Sequence, residues 1–329
     1  MTAPIPHLPP GSPAPLGTGD LAAEISAQLG ARLSRVRLHG FRRPAPPPPT
    51  LVAVAHGSRD PRALPTVRAL LDRVRALRPG LPVRLGHIEL NRPLLADTLA
   101  ELDGAAVLVP LLFGRGHHVT HDLPAALTGA PHLTGRVARP LGPHTLLAEA
   151  LHGRLLEAGF PDGRCPRSAV VLASAGSRAP RSAQDTEHTA QLLSARLGGT
   201  PVLPAYASAL PSASALPSAS ALPSASALPS PATTPARDAP RRSSRIAPTV
   251  ADAVRELTTG GHDRIAVASC FTAPGRFATQ CAAAAPGPAS APLGDHPALA
   301  RLVLHRYDQA LLARTGSGPE STKAATVAV

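Results

Sequence analysis

Apolar residues along this chain follow two periods that take turns. The run LVAVA (51–55) is continuously apolar, rich in Val and ends at His56-Gly57, the pattern of a parallel strand buried on both faces. The next segment sets Leu64, Val67, Leu70, Leu71, Val74 and Leu77 at helical spacing and stops at Pro79-Gly80. The alternation then predicts a strand over 82–90, a helix over 93–102 and a strand over 105–113. A helix follows the GRGHHVTHDLP loop (114–124), then a short strand near RVARPLG (136–142) and a last helix from His144 to Gly159. Strands alternating with helices imply βαβ units and a parallel sheet covered on both faces.

The order then begins again, with a strand over 169–174, a helix over 182–197 and a strand over 201–206. PTVADAVREL (248–257) repeats PLLADTLAEL (93–102) almost residue for residue. AVAHGSRDPRA (53–63) returns as LASAGSRAPRS (172–182), and VLVPLLFGRGHHVTHD (107–122) lines up with VASCFTAPGRFATQC (267–281). The expected fold class is therefore α/β, with two similar lobes over 50–160 and 167–314, each a parallel sheet flanked by helices. Within the second lobe stand four copies of ASALPS (207–230), then PATTPARDAPRRSSR. This insertion over 207–246 has no packing period and is expected to be disordered. The same holds for the Pro-rich leader 1–49, apart from a helical period over 21–40, and for the tail 315–329.

Composition narrows the function. The net charge is +12, but Lys323 is the only lysine and the charge is scattered rather than clustered. Aromatic residues make up 2 % of the chain, so the stacking platforms of single-strand binders are missing. A small polyanionic substrate suits the charge better than nucleic acid does. Cys165, Cys270 and Cys281 are too few and too irregular for a disulfide framework or a CxxC zinc site. No apolar run reaches the roughly 20 residues that cross a bilayer, and the first residues lack the pattern of a signal peptide. The expectation is a cytoplasmic monomer with no membrane or nucleic-acid partner.

The duplication acts as an internal control on the chemistry. Three polar residues of the first lobe lie at or beyond strand ends, where open parallel sheets bind ligands: His56, Glu89 and His118. Their counterparts in the second lobe are Ala175, a position near Ser208, and Phe277. A lone strand-end histidine is ordinarily structural, but the joint loss of all three marks them as functional. Two imidazoles and one carboxylate make a divalent-metal set with positions left open. Gly57-Ser58-Arg59 persists as Gly176-Ser177-Arg178, which points to a structural strand-to-helix turn that can also hold anions. His144 recurs as His296, again a structural sign, whereas His117 stands opposite Arg276 and is a weaker ligand candidate. His87 and His121 are bystanders, and Asp122 is placed to cap the following helix.

HGSR after a buried strand, IEL at a strand end and PLLFGRGHHVTHDLP together resemble the class II chelatases of tetrapyrrole synthesis, the CbiX-like and SirB-like enzymes. The family's G-x-H-V-x-x-D-[IL]-P loop falls on Gly116, His118, Val119, Asp122, Leu123 and Pro124. The resemblance implies two lobes facing across a cleft, and insertion of Fe2+ or Co2+ into sirohydrochlorin on the way to sirohaem or cobalamin. It implies His56, Glu89 and His118 as metal ligands and catalytic groups, and Ser58, Arg59 and Arg115 on the substrate carboxylates. The divalent ion would be a substrate, with no tightly bound cofactor, and the absence of a GxxxxGK[ST] loop agrees with ATP-independent insertion. A carrier that binds a tetrapyrrole or metal without turnover is the alternative.

Overall fold

The chain is described by a computed structural model covering residues 24–32, 47–163, 165–207 and 248–313. Residues 24–32 form a short helix exposed along its length, inside the helical period expected over 21–40. The rest of the leader, the insertion from 208 and the tail lie outside the described residues.

The first lobe is built on β1 (Thr50–Ala55), β2 (Val83–His87), β3 (Gly104–Pro110) and β4 (Leu133–Val137), all parallel, in the order β2-β1-β3-β4. Its helices are α1 (Ala63–Leu77), α2 (Leu95–Ala100), α3 (Leu123–Thr128) and α4 (Thr145–Glu157). The second lobe repeats the order as β6-β5-β7, with β5 (Ser168–Ser174), β6 (Val202–Tyr206) and β7 (Arg264–Ser269). Its helices are α5 (Pro180–Arg196), α6 (Val250–Thr259), α7 (Arg276–Ala283) and α8 (Pro297–Leu312). The counterpart of β4 shrinks to a single bridge between Val267 and Ala289.

The duplication extends to individual hydrogen bonds. Leu111 N–H donates to Val54 O at 2.8 Å, and Cys270 N–H to Ala173 O at 2.9 Å. Leu141 donates to Leu112 O as Leu293 donates to Phe271 O. His144 Nδ1 accepts from Leu146 N–H at the start of α4, and His296 Nδ1 accepts from Ala298 N–H at the start of α8. Both histidines are therefore helix caps, which requires an unprotonated Nδ1. Burial pushes the His144 imidazole down to about 4, helped by Arg306, His305 and Arg139.

One shared core joins the lobes. Leu51, Val107, Leu147 and Leu151 of the first lobe and Val170, Leu193, Leu299 and Val303 of the second belong to a single buried cluster. α4 packs on α5 and α8, and α1 packs on α8, so the helices between the two sheets form a common layer. Each fully buried Leu in that layer contributes about 1.5–3 kcal/mol, and the layer fixes how the sheet edges face each other. The outer sheet faces carry separate clusters, one around Val52, Val54 and Leu108, the other around Val171, Val267 and Leu257.

Strand limits differ from the expectation at β2, which stops at His87 rather than at Leu90. Ile88 and Glu89 still donate to Ala55 O and His56 O, but the chain then turns sharply. The short strand expected at 136–142 lies earlier, over Leu133–Val137, because Pro140 supplies no ladder donor. No helix among the described residues is long and apolar enough to cross a membrane.

Candidate active site

In the first sheet the strand order reverses between β1 and β3. The crevice beyond the carboxyl ends of strands at such a reversal is where open α/β sheets bind ligands. His56 is the first residue after β1, and His118 follows the loop after β3. Their rings meet edge to face, with centroids 5.0 Å apart. Two residues separated by a whole βαβαβ unit are thus brought together by topology.

Glu89 joins them from the neighbouring strand end. His56 Nδ1 lies 3.5 Å from Glu89 Oε1, with both side chains about half exposed. The turn that holds Glu89 is strained: Leu90 has φ +67°, and Asn91 N–H donates to Glu89 O at 2.8 Å across a three-residue γ-turn. Asn91 Oδ1 in turn accepts from Ser58 N–H at 2.6 Å. Gly57 locks the other side, since its φ of +104° suits glycine and a Cβ there would overlap the Glu89 carbonyl oxygen. The glycine of the HGS motif therefore allows β1 and the Glu89 turn to touch. Sequence reasoning had no signal for Asn91, whose role appears only once the two loops meet.

His118 begins a five-residue π-helical turn, His118–Asp122, closed by Leu123 N–H donating to His118 O. Pro124 explains the wide register: it lacks the N–H that would bond Thr120 O, and its ring would clash there in a regular helix. The turn brings His118 Nδ1 to 2.6 Å from Asp122 Oδ2, while His117 Nε2 lies 3.5 Å from Asp122 Oδ1. Asp122 does not cap α3, contrary to the expectation; the turn continues helical through it and its carboxylate is taken by histidine. A carboxylate on Nδ1 fixes the tautomer with Nε2 unprotonated, the arrangement that orients metal-binding imidazoles. His121 stacks on His117, and burial pushes the His87 imidazole down while its Nδ1 is taken up with Pro93 O, so neither joins the pair. Among the described residues, no three His, Cys, Asp or Glu side chains are gathered tightly enough to hold an ion by themselves.

The three residues expected on substrate carboxylates have different fates. Arg115 turns away: its guanidinium and its backbone N–H all bond Asp185 of α5, at 2.6–3.2 Å, and Asp185 is only 2 % exposed. Arg115 is an interlobe clamp and does not line the cleft. Ser58 lines it, but its hydroxyl accepts from Asp60 N–H and donates to Pro274 O of the second lobe. Ser177 closes the same turn with Ala179 N–H, and each serine sits over the other lobe's glycine, Ser58 over Gly275 and Ser177 over Gly116. Arg59 is exposed in the cleft with no carboxylate partner among the described residues.

Both lobes line a single cavity of about 960 Å³. One wall carries His56, Arg59, Glu89, Leu90, His117 and His118; the other carries Ala175, Ser177, Thr186, Phe271, Arg276 and Phe277. Residues 50–158 match the CbiX family model. The first lobe is similar to the CbiX family along its length. The chain is 28 % identical over 123 residues to the sirohydrochlorin cobaltochelatases of Methanococcoides burtonii and Methanosarcina acetivorans, a third of this chain and about 95 % of theirs. Among solved structures, SirB from Bacillus subtilis with Fe3+ aligns over 81 % of this chain and 97 % of its own, with a TM-score of 0.57 at 18 % identity. CbiX, the terminal enzyme for biosynthesis of siroheme in denitrifying bacteria, aligns over 79 % and 99 %, with a TM-score of 0.52 at 19 % identity. These cobaltochelatases match about a third of the chain, whereas the solved folds align over about four fifths of it. The two-lobed chelatase architecture expected from the duplication is the fold found.

Proposed function

We propose that this protein is a sirohydrochlorin chelatase that inserts Fe2+ or Co2+ into the macrocycle without ATP. The observation that carries the reading is the facing pair His56 and His118 at the strand-order reversal, set 5.0 Å apart and replaced by Ala175 and Phe277 in the second lobe. Insertion has to hold a divalent ion loosely, remove two pyrrole N–H protons and keep the macrocycle in place. Imidazole is both a metal ligand and a base near neutral pH, and two of them leave most coordination positions open for the incoming pyrrole nitrogens. Glu89 adds a negative charge that favours the cation and gives His56 a neighbour to pass a proton to. Asp122 positions His118 so that one nitrogen stays available to the metal.

A cavity between the lobes suits a large flat ligand, and Arg59 on its wall, with no carboxylate partner among the described residues, suits an octacarboxylate. Three free thiols, two of them buried, suit a reducing cytoplasm. Ligands of nitrogen and oxygen accept both ions, so the choice between iron and cobalt follows supply more than the site. The test follows sirohydrochlorin absorbance anaerobically with each ion, for wild type, His56→Ala and His118→Ala. The reading requires multiple turnovers by wild type and loss in both variants. A wild-type rate equal to the uncatalysed background with both ions would leave a carrier instead.

A further inference from the structure

The second lobe brings two side chains to the cleft at the positions where the first brings histidines. The paired hydrogen bonds Thr120 N–H to Gly116 O and Thr279 N–H to Gly275 O fix the register. On that register Arg276 stands for His117 and Phe277 for His118. Phe277 is half-buried, anchored on the outer core of the second lobe, and lines the cavity. A phenyl ring there ends metal handling on this wall and offers a flat apolar face instead. The Arg276 guanidinium lies 5.1 Å from the centre of that ring and is exposed to the same cavity.

Arg276 has no carboxylate partner among the described residues. This sets it apart from Arg62, Arg73, Arg78 and Arg115, each of which sits on an aspartate. A guanidinium over one side of an aromatic ring, with no carboxylate partner among the described residues, sets a charge beside an apolar surface, which suits a flat ring system with peripheral carboxylates: one group for the face, one for the rim. We propose that Arg276 and Phe277 are the substrate-recognition element of the second lobe, with Phe277 against the tetrapyrrole face and Arg276 on a peripheral carboxylate. This inference rests on the chelatase reading and deepens it: the duplicated site has changed from holding the metal to positioning the macrocycle.

The test is equilibrium binding of metal-free sirohydrochlorin to the full chain, followed by its absorbance, beside the same titration with its uncharged octamethyl ester. Wild type is compared with Arg276→Ala, Arg276→Lys, Phe277→Ala and Phe277→Leu. We expect Arg276→Ala to weaken binding of the acid by about tenfold, the size of one charge-assisted contact. It should leave ester binding unchanged, and Arg276→Lys should recover most of the loss. Phe277→Ala should weaken acid and ester alike, Phe277→Leu less so, and the KM for the metal should hold steady in all four. If wild type binds the acid and Arg276→Ala binds it within twofold as well, the inference is overturned and the chelatase reading stands. If wild type binds neither compound, the chelatase reading falls and takes this inference with it.

Discussion

Asp122 Oδ2 accepts a 2.6 Å hydrogen bond from His118 Nδ1, one π-helical turn earlier in the chain. The carboxylate never needs to touch a metal to matter, because it decides which nitrogen of the imidazole carries the proton and how the ring is aimed. Asp122→Asn keeps the shape and weakens that hold. Loss of such an orienting carboxylate typically lowers metal affinity or activity about 10- to 100-fold. We expect the rate of Co2+ insertion to fall by that factor, with far-ultraviolet circular dichroism unchanged and His118→Ala more severely affected. A rate within threefold of wild type would reduce Asp122 to a bystander.

The sequence made the alternating elements, the duplication and the meeting of His56 with Glu89 and His118 legible, because each is written in local periodicity or in the contrast between the halves. Arg115 was misread for a physical reason. It flanks the motif in sequence, but its partner Asp185 is 70 positions away on a helix whose packing no local pattern encodes. Asp122 was misread as a cap because the loop's D-L-P ending is also how a helix begins, and only the π-turn turns the carboxylate back on His118. Asn91 and the γ-turn at Leu90 had no signal at all, since a strained non-glycine turn leaves no mark in composition.

Arg115 and Asp185 make a prediction about stability rather than turnover. Asp185 is buried, so Arg115→Ala strands a carboxylate without its partner. Breaking a buried pair from one side costs about 3–5 kcal/mol, and the 39 % exposure of Arg115 places this case near the lower end. Urea denaturation should show that loss in the single variant, and Arg115→Met with Asp185→Leu should recover most of it. A single variant of undiminished stability but raised KM for sirohydrochlorin would return Arg115 to the substrate.

The His144 cap gives a pH dependence whose sign follows from the two states. In the native protein burial holds the imidazole unprotonated down to about pH 4, whereas in the unfolded chain it protonates near its ordinary value of 6.5. The unfolded state therefore binds more protons between these limits, and stability rises with pH there. The contribution is fully present above pH 6.5 and is lost as pH falls from 6.5 through 4. His296, also pushed down chiefly by burial, acts in the same direction. His144→Asn keeps an acceptor at the cap without the titration. We expect it to lower Tm at pH 7.5, and to show a smaller further drop than wild type on moving to pH 5. Equal drops in the two proteins would mean that the cap does not couple to pH.

The two lobes differ most in one connection, and the fold says how much of it the chemistry needs. His87 N–H donates to Pro93 O at 3.0 Å in the first lobe, and Tyr206 N–H donates to Pro248 O at 2.9 Å in the second. Five residues join the first pair and 41 join the second, yet the ends meet in the same way. Replacing the 41 residues between Tyr206 and Pro248 by the five-residue stretch IELNR from the first lobe satisfies the same geometry. By the length dependence of loop closure alone, the shortened chain gains about 2 kcal/mol of stability, near 0.6 kcal/mol for each of roughly three halvings. We expect a higher urea midpoint and an insertion rate within twofold of wild type, because His56, Glu89 and His118 all lie on the other wall of the cleft. A shortened protein that folds with this added stability and no longer inserts metal would assign the extra residues a part in catalysis that neither duplicated lobe explains.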